Sequence, residues 1–233
     1  MINIIPSEAR FTAEHGWLKS RFSFSFAEYY DPANLEFGPL RVFNDDTVQP
    51  GTGFGKHPHA NFEIMSYVLE GTLEHQDSMG NRGQLKAGEI QCTTAGTGIY
   101  HSEYNPSSSE PVHFLQIWFN PDERNLTPSW KQRAFPKETQ VNGLLPVVSG
   151  QASSDTLQVH QDVTVYLSVL EADREVLHQQ APGRKMYVFV IQGELVLNET
   201  GVMRQGDSAR IEDLSELRLK TKQGAEFMLM DLA

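Results

Sequence analysis

The chain has 233 residues with 19 Lys and Arg against 30 Asp and Glu, a formal charge of −11, and this balance excludes a nucleic-acid footprint and an anionic-membrane surface. Its single cysteine, Cys92, excludes an intrachain disulfide framework and any multi-thiolate zinc or iron–sulfur site. A hydrophobic fraction of 39%, with no apolar run near the ~20 residues of a spanning helix, leads to the expectation of a cytoplasmic monomer of one or two domains.

In chain order, residues 1–10 show no basic flank leading into an apolar stretch, so no secretory signal is expected. Phe22, Phe24 and Phe26 alternate with serines, a half-buried strand pattern that reads as core rather than ligand contact. Short β-rich runs follow at 40–43, 62–69, 71–75, 112–119, 163–170, 186–191 and 227–230, bounded by Gly, Asn, Asp and Pro. Strands this short and this regularly spaced point to an all-β sandwich or barrel. Helical turns are expected only near 26–30 and 129–133. Cys92 sits in an apolar strand and reads as an inert buried thiol.

The pattern repeats. Tyr67-Val-Leu-Glu-Gly71, with Gly88-Glu89 later, is echoed by Phe189-Val-Ile-Gln-Gly193, with Gly206-Asp207 later. An apolar strand, a glycine turn, a return strand and a Gly-acid pair recur in each half, as in a duplicated β domain. Four prolines, from Pro121 to Pro146, interrupt the pattern and place the boundary between 121 and 147.

Two compact motifs carry the chemistry. The first is Gly51-Thr-Gly-Phe-Gly-Lys-His57-Pro-His59, followed by Glu63 and Gly71; the second is Gly96-Thr-Gly-Ile-Tyr-His101-Ser-Glu103-Tyr-Asn105. Side chains two apart on a strand share a face, so His57 pairs with His59 and His101 with Glu103. If the two strands oppose each other, three imidazoles and one carboxylate converge, a set suited to Fe, Mn, Ni, Cu or Zn. Glu63 has the same parity as His57 and His59, but Pro58 can break it; Glu103 is the favoured carboxylate and Glu63 reads as second tier or core. The remaining histidines, His15, His75, His113, His160 and His178, read as core or surface residues.

The first motif resembles the cupin pattern G-x5-H-x-H-x3-E-x6-G, with Gly71 one residue late. The second resembles G-x5-P-x-G-x2-H-x3-N, with Gly96 in place of the proline and Gly88 two residues early. With Glu103 inside the second motif, the pattern resembles the pirin branch of the cupins. The likeness extends through His15-Gly-Trp-Leu, Tyr29-Tyr-Asp-Pro32, Leu69-Glu-Gly71, His75-Gln-Asp-Ser-Met-Gly-Asn81 and Gln116-Ile-Trp118, and it covers most of the first 135 residues. The resemblance implies a bicupin of two double-stranded β-helix barrels packed together, with a metal-binding domain over 1–135 and a degenerate, metal-free cupin over 136–233. It implies one divalent transition metal on His57, His59, His101 and Glu103, Fe(II) first, with Zn, Mn, Ni, Cu or Co as other occupants. It further implies quercetin 2,3-dioxygenase chemistry on a flavonol with O2, with Glu103 as the catalytic base. The alternative it implies is an iron redox-sensing regulatory protein that acts through a protein partner.

The repeat tests the second barrel independently. Setting Gly193 on Gly71 places Gln179 and Ala181 opposite His57 and His59; setting Gly206 on Gly88 places Leu219 and Thr221 opposite His101 and Glu103. His178 falls one residue out, which turns a strand side chain to the opposite face.

Overall fold

Hairpin turns at glycines and asparagines cut the chain into short antiparallel strands. The computed structural model describes residues 1–151 and 153–233. In chain order the first strands are β1 (Ile2–Ile5), β2 (Phe11–Glu14), β3 (Leu18–Phe22), β4 (Leu40–Val48), β5 (Gly53–His59) and β6 (Glu63–Glu70). Next come β7 (Thr72–Asp77), β8 (Arg82–Lys86), β9 (Glu89–Thr94), β10 (Ile99–Tyr104), β11 (Val112–Phe119) and β12 (Ser129–Ala134). The second half adds β13 (Leu145–Ser149), β14 (Leu157–Gln158), β15 (Val163–Leu170), β16 (Glu175–Gln179) and β17 (Lys185–Leu197). It closes with β18 (Gly201–Arg204), β19 (Ser208–Glu212), β20 (Glu216–Lys220) and β21 (Ala225–Leu232).

The strands sort into two units, and both β-rich halves of the sequence take the all-β form. The N-terminal unit comprises Phe11–Phe135 with Leu157–Gln161; the C-terminal unit comprises Met1–Arg10, Pro136–Thr156 and Asp162–Ala233. The first ten residues therefore leave the half in which their position in sequence puts them. β1 pairs with β19, Ser7 N donates to Asp207 Oδ1 at 2.8 Å, and Arg10 Nη2 donates to Gly206 O at 2.8 Å. Residues 157–161 make the reverse exchange, with Gln161 Nε2 donating to Asn120 O at 2.7 Å.

Two antiparallel sheets build the N-terminal unit, in the orders β12-β9-β6-β11-β4-β3-β2 and β5-β10-β7-β8. Its interior is layered. At one end Leu18, Val48, Val68, Leu73, Leu85, Val112 and Phe114 form an apolar cluster; at the other Ile64, Ala95 and Ile99 pack with Phe62 and Trp118. Each large apolar side chain removed from water contributes about 1.5–3 kcal/mol, and these clusters support the cost of the polar layer between them. That layer contains Ser66, His75, Gln91, His101, Glu103 and Gln116, all buried.

The C-terminal unit runs β1-β19-β17-β21-β15-β13, with β16, β18 and β20 completing a second layer through β17. Its core is a continuous apolar cluster that includes Val188, Val190, Leu195, Leu217, Leu219, Phe227 and Leu229.

The helical turn expected at 129–133 is a strand. β12 pairs with β9 in register, Trp130 opposite Thr93 and Gln132 opposite Gln91, so long-range pairing overrides the local pattern. Among the described residues no helix is long and apolar enough to cross a membrane.

Candidate metal centre

β5 and β10 run antiparallel, with His101 opposite His57 and Ile99 opposite His59. The i, i+2 spacing works as expected, and Pro58 leaves the parity of β5 intact. The three imidazole rings converge, with centroids 4.7 Å apart for His57–His59, 4.5 Å for His57–His101 and 4.8 Å for His59–His101. A bulge follows, so that Glu103 faces Phe54 rather than Gly55. Gly53 permits the close approach: a Cβ there would lie 2.3 Å from Glu103 O.

The rings are prepared as lone-pair donors. His57 Nδ1 lies 2.8 Å from Gly55 O, an acceptor only, so Nδ1 carries the proton and Nε2 the lone pair. His59 Nε2 and His101 Nδ1 are buried and without a hydrogen-bond partner among the described residues. Burial, helped by the neighbouring His101 and His57, pushes the His59 pKa down to about 3. Burial also lowers His101, against the attraction of Glu103. Neutral imidazoles are the form that binds a cation.

Glu103 is 1% exposed. Gln91 Nε2 donates to its Oε1 at 2.7 Å and Gln116 Nε2 to its Oε2 at 2.6 Å. Ser66 Oγ lies 3.0 Å from Oε1 and 2.8 Å from Gln116 Oε1, so its one hydrogen is shared between them. A buried carboxylate needs such partners, and these leave an acceptor direction open.

His57, His59 and His101 form one set able to hold an ion; Glu103 groups instead with His101 and His75. His75, expected as a core or surface residue, is core, and it joins the second of these sets. It lies opposite Glu103 on β7, fully buried, with its ring 5.3 Å from that of His101. The signal was present in the sequence, since His75-x-Asp77 has the same spacing as His57-x-His59 and His101-x-Glu103.

Glu63 points elsewhere. β5 ends at His59 and β6 starts afresh at Glu63, which accepts a hydrogen bond from Thr94 Oγ1 at 3.0 Å and lies 3.5 Å from His160 Nδ1. Burial raises its carboxyl pKa, against these partners. His113 pairs with Asp45 at 2.6 Å and His15 with Glu28 at 2.9 Å. Cys92 is buried, and burial raises its thiol pKa beyond reactivity.

An aromatic wall adjoins the triad. The Trp118 ring lies 4.7 Å from that of His59, 5.4 Å from Phe26 and 5.2 Å from Phe62. Phe22 and Phe24 are buried as expected, whereas Phe26 joins this wall. Trp118 Nε1 is buried with no acceptor among the described residues.

In the C-terminal unit, His178 does not turn to the opposite face. It pairs with Leu217, its Nε2 lies 2.8 Å from Asp231 Oδ2, and its ring packs on Tyr166. Arg184 Nε and Gln180 Nε2 also donate to Asp231, at 2.5 and 3.2 Å, and the hydrogen-bonded carboxylate is held below its usual pKa although burial opposes this.

Comparison with known proteins agrees with this architecture. The Pirin family model matches residues 6–119, and that of the quercetinase C-terminal cupin domain matches 146–232. A quercetin 2,3-dioxygenase of Escherichia coli K12 is 46% identical, covering 100% of this chain and 99% of the relative. A pirin-like protein of Caulobacter vibrioides is 37% identical over the whole of both chains. The crystal structure of the E. coli bacterial pirin YhhW in complex with nickel(II) superposes with a TM-score of 0.95 at 44% identity, covering 100% of this chain and 99% of that one. With two cupin units, a His/Glu cluster in the first and full-length identity to such relatives, the chain belongs to the pirin family.

Proposed function

We propose that this protein is a metal-dependent dioxygenase that opens flavonols with O2, in the manner of quercetin 2,3-dioxygenases. One divalent cation is held by His57, His59, His101 and Glu103 within the N-terminal unit, and the C-terminal unit carries no metal. The observation that carries this reading is the convergence of three imidazoles beside an aromatic wall, with buried, unpartnered His59 Nε2 and His101 Nδ1 among the described residues. The name of the E. coli K12 relative supports the substrate class.

The cation, when bound, supplies a Lewis acid for the flavonol 3-hydroxyl oxygen and a centre for O2. The chain supplies the rest. Trp118, with Phe26 and Phe62 behind it, offers a flat apolar face to the fused rings, and its Nε1–H is free to donate to a substrate oxygen. Glu103, fixed by Gln91 and Gln116, takes the 3-hydroxyl proton on its open acceptor direction. The products are a depside and carbon monoxide.

Anaerobic loading with Fe(II), then addition of quercetin and air, tests the reading. Loss of the flavonol absorbance band with release of carbon monoxide is expected. A fully loaded protein that leaves quercetin intact would reject it in favour of a regulatory protein read by a partner.

A further inference from the structure

We propose that the same barrel offers a divalent cation a second, inner coordination position, formed by His75, His101 and Glu103. This rests on the barrel being a metal site and goes beyond it by adding His75 as a ligand. Ligand atoms of the three residues lie within 4.8 Å of one another, and all three are buried.

His75 is built as a ligand. Its Nε2 lies 3.3 Å from Asp77 Oδ2, and Asp77 also accepts from the backbone N–H groups of Met79 and Asn81 and from Asn81 Nδ2. A carboxylate engaged by these N–H donors is an acceptor, so His75 Nε2 carries the proton and Nδ1 the lone pair. That Nδ1 is buried with no hydrogen-bond partner among the described residues, in a residue 0% exposed. A carboxylate behind an imidazole is the usual means of orienting a metal ligand.

The ring and the carboxylate opposite it are fixed by one chain of contacts. Trp130 stacks on His75 at 5.2 Å and 14°, its Nε1 donates to Gln91 Oε1 at 2.8 Å, and Gln91 Nε2 donates to Glu103. Packing alone would be served by an apolar residue in place of His75, without a buried nitrogen to satisfy.

The two positions differ in chemistry. The outer one presents three neutral imidazoles, with Glu103 as fourth donor in the proposed function. The inner one presents two imidazoles and a carboxylate, the donor composition of many non-haem ferrous sites. His101 and Glu103 are common to both positions, so the two are alternative places for one cation, reached by exchanging His57 and His59 for His75.

Cobalt(II) titration, followed by d–d absorption and equilibrium dialysis, tests this. The double variant His57→Ala/His59→Ala is expected to retain Co(II) with affinity reduced on the order of 10–100-fold and with shifted d–d bands. Adding His75→Ala is expected to abolish the remainder, while His75→Ala alone keeps the outer position. A folded double variant that binds no Co(II), or binds it independently of His75, overturns the inner position and leaves the outer one standing. A wild-type protein that binds no Co(II) overturns both. If the alanine pair does not fold, His57→Gln/His59→Gln, which keeps volume and polarity, carries the same expectations.

Discussion

His57 Nε2 and His101 Nε2 face each other at 3.1 Å across adjacent strands, although His57 already commits its Nδ1 to Gly55 O. With the His57 proton on Nδ1, His57 Nε2 is an acceptor, and either His101 Nε2–H donates to it or a cation takes the proton's place between the two rings. His57→Ala, His59→Ala and His101→Ala are each expected to lower bound metal after dialysis, His101→Ala most, because His101 belongs to both donor sets. His178→Ala is expected to leave metal content unchanged, since that ring serves Asp231. Elemental analysis of the dialysed variants checks this; full metal content in His101→Ala would reject the site.

The pairing of His57 with His59 was legible because a strand repeats every two residues, so a His-x-His motif brings two rings to one face whatever the rest of the fold does. The His75-x-Asp77 pair has the same spacing, but spacing alone does not say which strand it meets; the pairing of β7 with β10 sets His75 beside Glu103 and Asp77 beside His101. The exchange of residues 1–10 into the C-terminal unit depends on β1 meeting β19, a contact that no local pattern encodes. The strand at 129–133 likewise owes its form to β9.

Gly53 and Gly55 separate the needs of the backbone from those of the ligands. A Cβ at Gly53 would sit 2.3 Å from Glu103 O and 2.6 Å from Tyr104 Cα, so Gly53→Ala must push β5 away from β10. A loss of about 1–3 kcal/mol in stability is expected, with weaker metal binding. At Gly55 the nearest atom is Tyr104 Oη at 3.9 Å, so Gly55→Ala is expected to be tolerated. Thermal melts with and without metal distinguish the two; equal behaviour would remove the β5–β10 approach as a determinant of the site.

Asp46 gives the pH dependence of the fold. It is 3% exposed, and burial raises its pKa to about 7, against the Ser20 hydrogen bond and with the charges of Asp45 and Glu103 adding to the rise. Between the ordinary aspartate value of 3.8 and about 7 the folded protein holds a proton that the unfolded chain releases. Its contribution is therefore greatest at low pH and is lost as pH rises through 7. Asp46→Asn fixes the neutral form and keeps an acceptor for Ser20 Oγ. The variant is expected to be more stable than wild type at pH 8, on the order of a few kcal/mol, and to match it near pH 4. Denaturant titrations at both pH values measure this; the same gap at both would exclude Asp46 as the source.

Glu103 distinguishes holding the cation from moving the proton. Its two oxygens are fixed by Gln91, Gln116 and Ser66, so an exchange to glutamine keeps size and one oxygen donor but removes a base. The new amide N–H2 is accommodated on the Gln116 side, where a flip of Gln116 presents its oxygen and leaves Ser66 Oγ as acceptor, while Gln91 stays fixed by Trp130 Nε1. Glu103→Gln is therefore expected to fold and to bind metal partially. Its flavonol cleavage is expected to fall about 10²–10⁴-fold, the usual effect of losing a general base. The drop should appear in kcat more than in KM, because Trp118 and its neighbours, which face the substrate rings in the proposed function, are untouched. Gln116→Ala and Gln91→Ala, which loosen the carboxylate without removing it, should lose less. Near-normal turnover by metal-loaded Glu103→Gln would take the base role from Glu103. Equal losses of metal and rate would instead make it a ligand alone, with its proton-accepting role passing to solvent or to the substrate's own oxygens.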